Sequence, residues 1–163
     1  MILIALGANL PSPAGGPQQT LEAALARLEA SGVRVVARSR WYRTAPVPVS
    51  DQPWFINGVA RVETALVPMA LLALLQQVEQ EFGRQRTVRN AARTLDLDIV
   101  DYNGRVENTP ELTLPHPRMQ DRAFVLLPLA EIVPAWWHPT LGKTVESLIS
   151  SLPTEQKAEP IGG

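Results

Sequence analysis

Two aspartates, Asp96 and Asp98, lie within Leu95-Asp96-Leu97-Asp98-Ile99, and four arginines, Arg84, Arg86, Arg89 and Arg93, precede them with no acid in between. In an extended chain successive side chains alternate, so Leu95, Leu97 and Ile99 face a core while both carboxylates face the other side. At a separation of about 6.6 Å the two charges repel by about 2.5 kcal/mol at an effective dielectric of ~20. A hard divalent cation relieves that repulsion: Mg²⁺ accepts one or two protein carboxylates and leaves its other positions to water and phosphate oxygens. Arginine forks suit phosphate oxygens and the charge that develops during phosphoryl transfer. Taken alone, the acids fit a half-exposed strand with two solvated carboxylates equally well. The arginines are also less telling in a chain with 13 arginines and 2 lysines. The adjacency of the two blocks is what points to a metal and a polyphosphate.

These residues need a scaffold, and its elements are legible in the pattern. The apolar run over 2–6 ends at Gly7-Ala8-Asn9 and predicts a buried strand. Gly16-Pro17 opens a helix whose Leu21, Ala24, Leu25 and Leu28 form one stripe that stops at Gly32. A second strand is predicted over 33–41, a proline-rich loop over 44–53 and a third strand over 55–64. Pro68 opens a second helix, with Leu71, Leu72, Leu75, Val78 and Phe82 within about 100° of arc and Gly83 placed to end it. After the arginine loop comes a fourth strand over 95–102. The order β-α-β-β-α-β matches an α+β, ferredoxin-like sandwich in which helices cover one face of an antiparallel sheet. A C-terminal extension follows, with a helix predicted over 122–132. Residues 1–152 are expected to form a single domain and 153–163 a flexible tail. Trp136-Trp137 is expected to cover a core edge, and His138 carries no predicted role.

Composition excludes several classes. The 163 residues suit one domain, and 45% hydrophobic with 19% charged residues describes a globular chain. A formal charge of −1 gives no general attraction to nucleic acid or to an anionic membrane. The absence of cysteine removes disulfides, thiolate nucleophiles and cysteine-held metals, so any metal needs oxygen or histidine ligands. With no signal-like N-terminus and no apolar run near ~20 residues, a cytoplasmic protein is expected. An RNA-binding module on the same fold would carry stacking aromatics on its central strands, and 2–6 has none. A small-molecule regulatory domain would account for a pocket but not for four arginines beside paired acids.

The segment Arg89-Asn90-Ala91-Ala92-Arg93-Thr94-Leu95-Asp96-Leu97-Asp98-Ile99-Val100 closely resembles the signature of the 6-hydroxymethyl-7,8-dihydropterin pyrophosphokinase family. The resemblance continues through Leu6-Gly7-Ala8-Asn9-Leu10, Tyr42-Arg43-Thr44, Asp51-Gln52-Pro53 with Asn57, and Leu114-Pro115-His116 followed by Arg122 and Phe124. It implies transfer of the β,γ-pyrophosphoryl group of ATP to the hydroxymethyl oxygen of the pterin, with release of AMP. Two Mg²⁺ ions would lie between Asp96, Asp98 and the triphosphate. The resemblance assigns catalysis to Arg84, Arg93, Asp96 and Asp98. To ATP it assigns Gln76, Glu79, Arg86, Arg89, Ile99, His116 and Arg122. To the pterin it assigns Thr44, Pro46, Val47, Phe55, Asn57, Phe124 and again Asp96. Two phenylalanines suit the faces of a flat bicycle, and an amide suits its edge. ATP and the pterin would be the partners of a monomer, without nucleic acid or membrane. Asn90 stands where some members carry a tryptophan that closes over the site, and Phe55 where some carry a tyrosine. Another metal-dependent phosphoryl-transfer or nucleotide-hydrolysing enzyme is the competing reading.

Overall fold

The apolar run at the N-terminus becomes β1 (Ile2–Ala8), which lies between β4 (Phe55–Glu63) and β5 (Asp96–Tyr102) and pairs antiparallel with both. The computed structural model describes residues 1–46, 51–83, 94–153 and 156–161. β1 has no polar residue because both of its faces are covered. Ile2, Ile4 and Leu6 join a core with Leu21, Leu25 and Leu28 of α1 (Pro17–Ala30) and Leu71, Leu75 and Val78 of α2 (Pro68–Glu81). Leu3 points the other way, into a second core with Val125, Leu126 and Leu129 of α3 (Ala123–Ile132) and Leu148 of α4 (Val145–Ser150). This corrects the expectation of a single covered face. Leu3, Val59 and Val100 alternate onto the opposite side of the sheet, and α3 buries them.

The strand predicted over 33–41 is divided into β2 (Arg34–Arg38) and β3 (Tyr42–Thr44), both paired with β4. Ser39 causes the break: its hydroxyl accepts the Val59 N–H at 3.0 Å, while its own N–H donates to the Val59 carbonyl at 2.9 Å. A side-chain oxygen thus takes over from a backbone carbonyl at this point of the ladder. Trp41 then lies against Gly58, and its indole N–H donates to Glu22 of α1 at 2.7 Å.

The β1–β5 register shifts between Leu3 and Ile4, so Val100 is an extra residue and Asp101 is brought opposite Leu3. Buried Asp101 accepts the indole N–H of Trp136 at 2.8 Å and the Gly104 N–H at 3.1 Å. Of the tryptophan pair, Trp136 is buried and Trp137 is 61% exposed, so only the first covers a core. β6 (Glu107–Asn108) and β7 (Thr113–Leu114) form a separate two-stranded sheet, followed by a cis Leu114-Pro115 bond. Where a flexible tail is expected from 153 onward, β8 (Ala158–Pro160) pairs with β3 and extends the main sheet. Among the described residues no helix is long and apolar enough to cross a membrane.

His138, without a role in the sequence, organises a turn: its Nδ1 accepts the N–H groups of Thr140 at 3.3 Å and Leu141 at 3.1 Å. Burial lowers its pKa below 6.5, and Asp101 opposes that shift. The unfolded chain therefore binds this proton more tightly than the fold, so the neutral ring contributes stability above the unfolded pKa that declines as pH falls below it. His138→Asn keeps an acceptor for the turn and removes the titration. Unfolding measured from about pH 5 to 7.5 should show a shallower rise of stability with pH in this variant than in the wild type. Gly58→Ala tests the packing at the strand break. Its Cβ would come within 2.6 Å of the Trp41 ring, and denaturant unfolding should register a loss of about 1–3 kcal/mol.

Candidate active site

Directly paired residues in a sheet share a face, so the registers of β1 define what stands beside what. One row runs Asp96, Gly7, Asn57, Tyr42 across β5, β1, β4 and β3, and the next runs Asp98, Ala5, Val59. Both carboxylates therefore face away from α1 and α2, as the alternation predicts, and both are half-buried. Along β1 this face reads Leu3, Ala5, Gly7, and the side chains shrink toward the row that holds Asp96 and Asn57. Two strand spacings, about 10 Å, separate that aspartate from the asparagine across a position that carries no side chain. A Cβ at Gly7 would come within 2.5 Å of the Asn57 amide nitrogen, so any larger residue there would displace that side chain. The taper leaves a trough floored by backbone.

Buried Thr44 and Asn57 close one side of the trough. The Thr44 hydroxyl donates to Asn57 Oδ1 at 2.5 Å, and Asn57 Nδ2 reaches the Leu6 carbonyl at 3.4 Å. Phe55, paired with Thr44, is half-buried, and Pro46 is buried beside them in sequence. On the other side α3 is fastened to the sheet by Glu131, which accepts the Tyr42 hydroxyl at 2.8 Å and the Arg40 N–H at 2.6 Å. At the start of that helix Phe124 packs on the second core, and the Arg122 guanidinium lies 5.5 Å from its ring centre. The loop before it is tied to β5 by the His116 N–H, which donates to the Val100 carbonyl at 3.0 Å. His116 Nδ1 accepts the Arg118 N–H at 3.2 Å. Burial pulls the imidazole pKa below its usual value, Asp96 opposes this and Arg122 reinforces it, so these three groups share one electrostatic environment.

Other predicted residues stand elsewhere. Gln76 is exposed on α2, and the Ile99 side chain is in the first core, so Ile99 has only its backbone to offer a ligand. Glu79 is 1% exposed, and its carboxylate accepts the Leu97 N–H at 2.8 Å. Val47, Arg84, Arg86, Arg89 and Arg93 lie outside the described residues. Among the described residues no group of three or more His, Asp or Glu side chains could hold a metal. The donor set is a carboxylate pair, the kind Mg²⁺ uses when phosphate and water complete its shell.

The family model described as 7,8-dihydro-6-hydroxymethylpterin-pyrophosphokinase matches residues 3–134. The chain belongs to that family. It is 41% identical over 155 residues, covering 94% of this chain and 93% of the relative, to the 2-amino-4-hydroxy-6-hydroxymethyldihydropteridine pyrophosphokinase of Pseudomonas aeruginosa. A protein of the same name from Synechocystis sp. is 41% identical over 151 residues, covering 92% of this chain and 75% of the relative. Another from Bacillus subtilis is 45% identical over 130 residues, covering 79% and 75%. A solved HPPK-DHPS in complex with substrates superposes with a TM-score of 0.68 at 14% identity, over 92% of this chain and 42% of the other. That likeness concerns the fold, and the chain spans about two-fifths of the solved one.

For a pyrophosphokinase-family chain the position of Glu79 matters, because Leu97 lies between the two aspartates on the edge strand of the sheet. An edge strand leaves outward N–H groups without a strand partner, and α2 supplies a buried carboxylate to this one. The sequence does not reveal a backbone partner for Glu79 18 positions on. Glu79→Leu would leave the Leu97 N–H buried and unpaired, at a cost of about 1–3 kcal/mol. Glu79→Gln retains an acceptor and should lose less. Native-state hydrogen exchange at Leu97 measures this directly, and unchanged protection in Glu79→Leu would contradict the assignment.

Proposed function

We propose that this chain is a Mg²⁺-dependent 2-amino-4-hydroxy-6-hydroxymethyldihydropteridine pyrophosphokinase of folate biosynthesis. The reaction joins the hydroxymethyl oxygen of 6-hydroxymethyl-7,8-dihydropterin to the β-phosphorus of ATP, breaks the bond between that phosphorus and the α,β-bridging oxygen, and releases AMP. The observation that supports this reading is the row Asp96, Gly7, Asn57, in which a carboxylate suited to the phosphate side and an amide suited to the edge of a pterin share the face turned away from α1 and α2. Family membership and the names of the relatives support the same reaction. The strand order β5-β1-β4, with β2 also paired to β4, supports reading the fold as ferredoxin-like. We read the chain as one domain acting as a cytoplasmic monomer.

Asn57 engages Thr44 through one lone pair, which leaves amide capacity for the edge of a pterin. Phe55 and Phe124 are half-buried, so each ring keeps some exposed surface, and a pterin stacked on Phe124 would share or displace the Arg122 guanidinium that lies 5.5 Å from its centre. Asp96 and Asp98 would hold two Mg²⁺ ions, which when bound offset phosphate charge and favour an in-line geometry. Arg84 and Arg93 fit the stabilisation of charge that develops on the transferred group, and His116 and Arg122 fit contacts to the nucleotide. Gln76, Glu79, Arg86, Arg89 and the Ile99 backbone are assigned to ATP, and Pro46 and Val47 to the pterin, on the resemblance. No covalent intermediate on the protein is needed, so positioning and electrostatics supply the rate.

A product assay with ATP, Mg²⁺ and the pterin should yield AMP, and ADP would instead favour an ordinary phosphoryl-transfer enzyme. Asp96→Asn and Asp98→Asn should each lower kcat by about a hundredfold or more while remaining folded. Normal turnover in either variant would refute the metal assignment.

A further inference from the structure

The C-terminal segment 156–161 lies beyond residues 3–134, which the family model matches, yet it touches both sides of the trough. Gln156 meets the start of α3: its Oε1 accepts the Ala123 N–H at 2.8 Å, and its Nε2 donates to the Asp121 carbonyl at 2.6 Å. The N-cap residue of α3, Arg122, provides no side-chain cap, so a residue 33 positions away satisfies the first N–H of the helix. Ala123 is buried and stands between Arg122 and Phe124. The same segment then runs along β3. Ala45 N–H donates to the Lys157 carbonyl at 3.0 Å, Ile161 N–H donates to the Trp41 carbonyl at 2.8 Å, and Thr44 pairs with Ala158. The two-residue period of an antiparallel ladder places the bonded positions at 157, 159 and 161. Pro160 thus falls where its nitrogen faces away from β3, the place a strand tolerates proline.

We infer that segment 156–161 is a strap that sets the distance between the two walls of the pterin site, with Gln156 as its positioning residue. The inference rests on the functional reading above. One wall is β3 and β4, through Thr44, Asn57 and Phe55; the other is the Arg122–Phe124 turn. A flat ring gains its contact energy only when both faces are met, and a gap of 0.5–1 Å forfeits about a quarter to a half of each contact. If the strap is loosened, the fraction of molecules with the walls correctly spaced falls, and apparent affinity falls by the same factor. Asp96, Asp98 and Glu79 are positioned by β5 and α2, with which the strap does not pair, whereas Arg122, assigned to ATP, shares the strapped turn, so the effect should be larger for the pterin than for ATP.

Two full-length variants test this. Gln156→Met keeps the side-chain length without either hydrogen bond, and Glu159→Pro removes the N–H at the middle of the strand pairing. Each should raise the KM for the pterin about tenfold, corresponding to a competent fraction near one in ten. The KM for ATP should rise clearly less than that for the pterin, and kcat should stay within about threefold. Gln156→Glu keeps the acceptor for Ala123 and should recover part of the loss. Unchanged pterin KM in both variants, or parallel rises in both KM values with a lowered Tm, would overturn the strap. A wild-type chain that forms no AMP would overturn the enzyme reading and this proposal with it, whereas an active wild type with unaffected variants overturns the strap alone.

Discussion

The pairing of β1 with both neighbours, in continuous register from Ile4 to Gly7 on each side, is the constraint on which the rest of the structure depends. Gly7 is opposite Asn57 on one side and Asp96 on the other, so one position on the central strand sets the relation between the two chemically distinct halves of the trough. Because side chains alternate with a period of two, a slip of one residue would turn Asp96 and Asp98 into the core beneath α2 and expose Leu97 and Ile99. The burial of those two residues holds the register, and the carboxylates follow from it. The side of β1 that carries Leu3, Ala5 and Gly7 tapers from a large side chain to none as it reaches the row of Asp96 and Asn57.

The surrounding layers hold this arrangement by interactions of different kinds. α1 and α2 hold the sheet from below by apolar burial, and α2 adds one polar contact at the strand that bears the acids. α3 covers the other face only in part. Its buried side chains pack on Leu3, Val59 and Val100, Glu131 fastens it to β3, and its N-terminal end with Phe124 remains at the trough. The bulge at Val100 and the buried pair Asp101–Trp136 allow β5 to serve both layers: an acid that follows Asp98 by three positions is turned to structural work by a single inserted residue.

Much of this was legible in the residues because it depends on short-range geometry. The alternation of Leu95 to Ile99 places Asp96 and Asp98 on a common face wherever the strand lies. The stripes of α1 and α2 likewise require only a helical period, and the observed bounds agree with their Pro and Gly signals. Reading failed where a distant partner decided the outcome. The break between β2 and β3 depends on a Ser39 hydroxyl meeting Val59, and the second covered face depends on α3 returning over the sheet. The taper of Leu3, Ala5 and Gly7 was present in the sequence but was hidden inside a run read simply as apolar.

The sequence by itself determined the kinds of chemistry available: a carboxylate pair on one face, arginines before it, no cysteine, and family motifs spread from Leu6 to Phe124. Such features survive reading because composition and a local period of two or 3.6 do not depend on the rest of the chain. Tertiary structure alone decided which groups meet. It buried Glu79 against Leu97, gave His138 a turn to hold, put Asn57 over Gly7, and brought Gln156 back to cap α3. Each of those contacts joins positions through backbone N–H groups, packing space or registers that are created only when the strands pair, and a side chain carries no local mark of the partner it will find.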